Sequence, residues 1–294
     1  MNWSPLLRWY AREGRNLPWR KTHDAYRILV SEVMLQQTQV SRVLVFYKTW
    51  LKKFPTWHAL ARASNAEVIH AWAGLGYNRR GLMLRDIAKQ VVTKGLPKSR
   101  EEWLALKGVG PYTSAALTAF SLREPAIPID TNIRRVLGRI FLGKPFPLLK
   151  DDGRIERLAW KTWPKGAHAP EVPQALFDLA VAICKKDPDC AACPLRDQCP
   201  ASKKFLSGRV RIPKRTIKTA NETRHRNKPY PDRIYRGRIL AEARAAKHPL
   251  ISALGPKIDQ SFDPQQDSAW LDRMILRLER DGLIRRIDKK RISV

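Results

Sequence analysis

Leu106-Lys107-Gly108-Val109-Gly110-Pro111-Tyr112-Thr113 is a turn punctuated by two glycines, set between stretches whose apolar residues recur at helical spacing. Glycine tolerates positive φ and close backbone approach. Gly108 and Gly110 could therefore let the amides of Gly108, Val109, Gly110 and Tyr112 converge on one phosphate at the mouth of the next helix. The same glycines would equally suit an ordinary helix–helix turn, and both readings stand at this point. Outward from the turn the pattern stays helical. Residues 24–53, 65–93 and 112–122 carry apolar side chains three and four apart, and no run alternates like a strand before the last dozen residues. The sequence predicts a mainly α protein.

Further on, Pro128-Ile129-Asp130-Thr131-Asn132-Ile133-Arg134-Arg135 puts an aspartate at the mouth of another helix. Aspartate is among the best N-caps, so capping outranks catalysis on local grounds. Then come all four cysteines, Cys184, Cys190, Cys193 and Cys199, spaced C-x5-C-x2-C-x5-C. Four soft anionic ligands from one loop suit an iron–sulfur cubane or a tetrathiolate zinc. Structural zinc usually takes two separate C-x2-C pairs, and only one is present, so a [4Fe–4S] cluster ranks first and zinc second. Disulfides rank last, since the N-terminus lacks an apolar leader core. No stretch approaches the ~18 apolar residues of a membrane span. The expectation is a soluble, intracellular monomer with no membrane partner.

The 56 Lys and Arg residues stand against 27 Asp and Glu, a formal charge of +29, which favours a polyanionic partner such as DNA or RNA. With 294 residues, two or three domains are expected. From 203 to 232, Lys203, Lys204, Arg209, Arg211, Lys214, Arg215, Lys218, Arg224, Arg226 and Lys228 lie among Pro, Asn and Thr, which reads as a basic linker. Beyond it, helical patterns over 232–246 and 269–281 end at Gly282, and Leu283–Val294 reads as a hairpin turning at Asp288-Lys289-Lys290. Helices followed by a basic hairpin suggest a small winged-helix-like α+β domain over 233–294.

The order is hairpin, helix, aspartate, helix, four-cysteine loop. To it the chain adds Ser31-Glu32-Val33-Met34-Leu35-Gln36-Gln37-Thr38-Gln39-Val40, Leu17-Pro18-Trp19-Arg20 and Gly74-Leu75-Gly76-Tyr77. Alone, Glu32 is an ordinary helix-face glutamate and Gln36 and Gln37 are solvated helix formers. In this order the segments resemble the MutY-type adenine DNA glycosylases of the helix-hairpin-helix superfamily, over about residues 3–200. The resemblance implies a helix-hairpin-helix domain over 21–129 and an iron–sulfur domain from 1–20 and 130–202. It also implies a cytoplasmic, nucleoid-associated prokaryotic enzyme acting on double-stranded DNA. Such an enzyme flips out adenine mispaired with 8-oxoguanine or guanine and hydrolyses its N-glycosidic bond to leave an abasic site.

That chemistry calls for one carboxyl to protonate the leaving base and another to face an oxocarbenium-like sugar. By resemblance Glu32 is the acid and Asp130 the anion, with Tyr112 and Asn132 positioning them. A bifunctional relative would carry a Schiff-base lysine at 112; tyrosine implies a monofunctional glycosylase. Gln37 and Tyr77 match intercalating residues, and Gln174 matches the residue that binds the adenine edge, with Arg20 and Trp19 lining the same pocket. A glutamine amide can donate and accept on that edge, although Gln174 also suits the polar side of an amphipathic helix.

Three features depart from the family. Its first cysteine interval is usually six residues, not five; Thr131 stands where many members have glycine; and residues 233–294 do not resemble the nudix-like domain that reads the oxidised guanine. Two alternatives remain: a mismatch thymine or uracil glycosylase of the same superfamily, and a non-catalytic iron–sulfur DNA-binding protein.

Overall fold

A computed structural model describes residues 1–213, 223–226 and 228–294. The protein is mainly helical. The contacts divide the chain into two units, Met1–Gln37 with Thr93–Arg215, and Thr38–Val92 with Thr216–Val294.

The first unit holds α1 (Ser4–Glu13), α2 (Ala25–Leu35) and the helices from α7 (Arg100–Leu104) to α12 (Pro200–Leu206), while α3 (Val40–Lys53), α4 (Trp57–Arg62), α5 (Asn65–Trp72) and all but the last two residues of α6 (Arg79–Lys94) belong to the second. Several helices start where a side chain satisfies amides left free in the first turn. Asp24 accepts from the amides of Tyr26 and Arg27 in α2, Ser64 and Glu67 form a reciprocal capping box at α5, and Ser99 caps α7. The hairpin joins α7 to α8 (Pro111–Leu117), which widens into a π turn over Thr118–Leu122. Next come α9 (Thr131–Leu142), α10 (Asp152–Trp160), α11 (Glu171–Ala182) and α12 (Pro200–Leu206). One face of α9, formed by Ile133, Val136, Leu137 and Ile140, packs with Leu6 of α1, Ile155 of α10 and Leu176 and Leu179 of α11. Each such side chain contributes about 1.5–3 kcal/mol by leaving water. This core fixes Asp130 at the head of α9 and Cys184 just past the end of α11.

In the second unit Trp50 and Trp72 pack edge to face at 5.3 Å. α13 (Asp232–Ala245) packs on α14 (Leu254–Ile258) and α15 (Pro264–Arg280), around buried Tyr235, Ile239, Trp270, Met274 and Ile275. The antiparallel strands β1 (Arg285–Arg286) and β2 (Ile292–Ser293) follow, and Leu250 bridges to Arg291 beside them. Asp288 accepts from the amides of Lys290 and Arg291, closing the expected turn.

The periodic stretches prove shorter than the pattern suggested. Residues 24–53 divide at Gln36–Gln39, where Gln37 takes φ 55°, and 65–93 divide at a turn where Gly74 and Gly76 take φ 99° and 74°. α15 begins at Pro264, capped by Asp263, earlier than its apolar spacing marked. Within the expected linker, Lys203 and Lys204 are helical in α12, while Lys214, Arg215 and Lys218 lie outside the described residues. Lys228 is buried: its Nζ lies 2.5 Å from Asp259 and 2.6 Å from Asp267, and His225, stacked on Trp270, also meets Asp267. The two carboxylates offset its desolvation, a pairing that a local count of cations could not reveal.

Candidate active site

α2 is buried along almost its whole length, from Ala25 to Met34 with Arg27 as the exception, and so carries Glu32 into the interior at 7% exposure. Tyr112, in the first turn of α8, donates its hydroxyl to Glu32 Oε2 at 2.7 Å. Burial pushes the Glu32 carboxyl up to about 7; the Tyr112 hydrogen bond pulls it down, Asp130 pushes it further up and Arg20 lowers it. The Tyr112 phenol is raised well above its usual range, first by burial and then by the Glu32 charge. Near neutrality Glu32 can therefore hold or release a proton, while Tyr112 stays a donor.

Asp130 caps α9, and its charge reaches Glu32. Its Oδ1 accepts from the amides of Asn132 and Ile133 at 2.8 and 2.7 Å, while Oδ2 accepts from Asn132 Nδ2 at 2.9 Å. Burial raises its pKa, and these bonds counter the rise. Arg135 donates to Asn132 Oδ1 at 3.1 Å and to the carbonyls of Ala180 and Cys184, so the amide that holds Asp130 is tied to the start of the cysteine loop.

Gln174 accepts through Oε1 from the Tyr10 hydroxyl at 2.8 Å. Arg20 forks onto buried Asp178, Nη1 to Oδ2 at 2.7 Å and Nη2 to Oδ1 at 2.8 Å, and lies over the Tyr10 ring. Trp19 is buried. The structure thus joins Gln174 and Arg20 through Tyr10, with the Arg20 guanidinium committed to Asp178. Sequence reasoning missed Tyr10, Arg135 and Asp178. Asp178 left one signal, its i, i+4 relation to Gln174, which puts both on one face of α11.

Gly108 takes φ 101° and the Val109 amide donates to Leu106 O at 3.0 Å, closing the hairpin. Gly110 is extended instead, φ −95°, and serves as the N-cap of α8; its expected positive φ is not used. Gln37 is exposed at φ 55° just past α2. Separately, Tyr77 is 65% exposed at φ 48°. Arg80 lies over the Tyr77 and Trp72 rings and donates to the carbonyls of Leu75 and Gly76, bracing that turn. Left-handed backbone at two large residues is strained, and such strain persists only where surrounding contacts enforce it.

Cys184, Cys190, Cys193 and Cys199 are all free thiols. Burial, with a smaller push from the neighbouring cysteines, takes Cys190 up to about 11 and Cys193 up to about 12. Cys184, Cys193 and Cys199 pack against the core around α9 and α11. Buried Arg139 donates to Cys184 Sγ at 3.3 Å and to the carbonyls of Lys185 and Lys186, and lies over the Phe205 ring. Among the described residues no three His, Cys, Asp or Glu side chains are grouped as ligands of a single metal ion. Four thiols in mutual electrostatic contact, backed by a buried cation, fit the donor set of a thiolate-bound cluster. No helix among the described residues is long and apolar enough to cross a membrane.

Residues 30–165 match the model of the HhH-GPD superfamily of base excision DNA repair proteins, a span from α2 past the hairpin and Asp130. The structure of a thermostable thymine-DNA glycosylase superposes with a TM-score of 0.63 at 27% identity, covering 68% of this chain and 94% of that one. Among curated proteins, the adenine DNA glycosylase of Mycobacterium tuberculosis is 34% identical over 96% of this chain and 89% of its own length. That of Mycolicibacterium smegmatis is 34% identical over 95% and 91%. The chain therefore belongs to the MutY-type adenine DNA glycosylases of the HhH-GPD superfamily.

Proposed function

We propose that this protein removes adenine mispaired with 8-oxoguanine or guanine in double-stranded DNA, leaving an abasic site, and acts as a monomer in the cytoplasm of a prokaryote, at the nucleoid. The observation that carries the reading is the buried Glu32 carboxyl, hydrogen-bonded to Tyr112 and poised at about 7 in the field of Asp130. A general acid works best when its pKa lies near the working pH.

Glu32 gives its proton to the adenine ring as the bond between C1′ and the base nitrogen breaks, the bonding electrons leaving with the base. Asp130, held by Asn132, faces the positive sugar. Water then attacks C1′ and its proton returns to Glu32. Gln174 binds the adenine edge, and Trp19 and Arg20 shape that pocket, Arg20 through Asp178 and Tyr10. Gln37 and Tyr77 fill the gap left by the flipped base, offsetting an unstacking cost of a few kcal/mol. Gly108, Val109, Gly110 and Tyr112 hold the backbone at the hairpin. Alkali-dependent scission of a duplex carrying adenine opposite 8-oxoguanine tests the reading.

The domain division proposed is 21–129 for the helix-hairpin-helix domain, 1–20 with 130–202 for the cluster domain, 203–232 for the linker and 233–294 for a winged-helix-like domain. The order of α13, the Leu250 bridge, α14, α15 and the hairpin supports the last assignment. Cys184, Cys190, Cys193 and Cys199 would hold a [4Fe–4S] cluster, a structural brace whose four ligands leave no open position. Purified protein is expected to be brown and to contain about four irons per chain with no stoichiometric zinc. One zinc per chain in elemental analysis would overturn the cluster.

A further inference from the structure

The tail's cations are unevenly engaged. Arg238 donates to Ile258 O, Arg286 meets Asp272 and Glu279, Arg291 meets Asp288, and Lys228 is buried between two aspartates. The outer face of α15 differs. Arg273, Arg277 and Arg280 are exposed and spaced i, i+4, i+7 along one helical face. With Arg236 of α13 they line a groove of about 400 Å³ whose floor is Trp270 and Met274. Arg236, Arg273 and Arg280 form no ion pair among the described residues, and Asp232, the acid in the groove lining, accepts from Trp270 Nε1 at 3.0 Å.

This row continues beyond the module. Asp281, just past α15, lies 3.7 Å from Arg277 Nε and 3.4 Å from Arg79 Nη1. Arg79 opens α6, two residues after Tyr77. The next residue, Gly282, accepts from Asn65 Nδ2 of α5 at 2.9 Å, and Asn65 in turn accepts from Arg85 of α6. The end of α15 is therefore pinned to the two helices that flank the Tyr77 turn, and its arginines are joined through one shared carboxylate to the cation beside that turn.

We propose that Arg79, Arg277, Arg273 and Arg280, with Arg236, form a track for the phosphates of duplex DNA to one side of the lesion. The inference rests on the glycosylase reading, because it takes Tyr77 to stand at the flipped base. From Arg273 to Arg280 the helix rises about 10 Å, roughly three base-pair rises along the duplex axis. Guanidinium forks suit phosphate oxygens, and the groove presents no base-reading pattern, so the track supplies affinity without sequence or lesion preference.

The test uses the full-length protein with Arg273, Arg277 and Arg280 all changed to Gln, or all to Lys. Affinity is measured by fluorescence anisotropy over a salt series, on a long duplex and on one trimmed close to the lesion. On the long duplex the Gln variant is expected to lose two to three units of slope in log K against log salt, about 0.9 per lost contact. The loss should be the same with adenine opposite 8-oxoguanine and with undamaged DNA. The Lys variant, which keeps the charge, should recover most of the slope, and the trimmed duplex should show little difference between variants. An unchanged slope in the Gln variant, as would follow if this face docks an acidic protein instead, overturns the track. So does a loss that the Lys variant shares or that is independent of duplex length. Thermal unfolding of both variants separates misfolding from lost contacts. If the wild type itself neither binds duplex nor releases adenine, the glycosylase reading fails, which is a different result.

Discussion

Glu32→Gln is expected to slow adenine release in a single turnover by ~10²–10⁴, the usual worth of a positioned acid–base group. Duplex affinity should stay close to wild type, because the carboxyl is buried at 7% exposure and a carboxylate makes no favourable contact with phosphate. Glutamine keeps the volume, and its carbonyl can still accept from Tyr112, so the fold should hold. The pH profile gives a second readout. On the proposed role the acid form of Glu32 is the active one, so wild-type release should fall as pH rises through about 7, and the decline should be absent from the residual activity of the variant. Stability moves in a matching direction. A carboxyl raised from 4.5 to about 7 binds its proton more tightly in the folded state. Its contribution is complete below the unfolded value and lost as pH rises through the folded one. Glu32→Gln should therefore be more stable than wild type above that window, by a margin on the order of 3 kcal/mol at most. Wild-type release by the variant, or a wild-type pH profile, would remove Glu32 from the chemistry.

Asp130→Asn is expected to cost ~10²–10³ in the same assay, the scale on which one preorganised electrostatic group acts. Asparagine caps helices as well as aspartate does, so the bonds from the Asn132 and Ile133 amides can persist and α9 should keep its place. The substitution thus separates the capping seen at α9 from the proposed electrostatic role. Equal activity in Asp130→Asn and wild type would leave Asp130 as a cap alone, which is what its local sequence first suggested.

The helical class and the tail hairpin were legible because apolar spacing and turn residues are local signals. Glu32 was not legible by itself: a glutamate on a helix has no mark of burial, and only the company of the hairpin, Asp130 and the four cysteines gave it a role. Helix ends were harder. The break at Gln36–Gln39 has neither glycine nor proline, although Gln37 takes a positive φ there. Arg20 matched a pocket position by resemblance, but its fork to Asp178 depends on two helices meeting from sequence positions 158 apart. Tyr10 was invisible for the same reason. Lys228 resembled its solvated neighbours, and burial between Asp259 and Asp267 is a tertiary fact. In the cysteine loop, the buried Arg139 behind Cys184 likewise has no local signature.

The identity of the base released tests the adenine glycosylase assignment most directly. Duplexes carrying adenine opposite 8-oxoguanine, guanine or cytosine, and thymine or uracil opposite guanine, would be incubated with excess protein. Free base would be identified by chromatography and abasic sites by alkali scission. Free adenine is expected from the 8-oxoguanine and guanine pairs, little from the cytosine pair, and scission only after alkali. Release of thymine or uracil with adenine left intact would contradict that assignment.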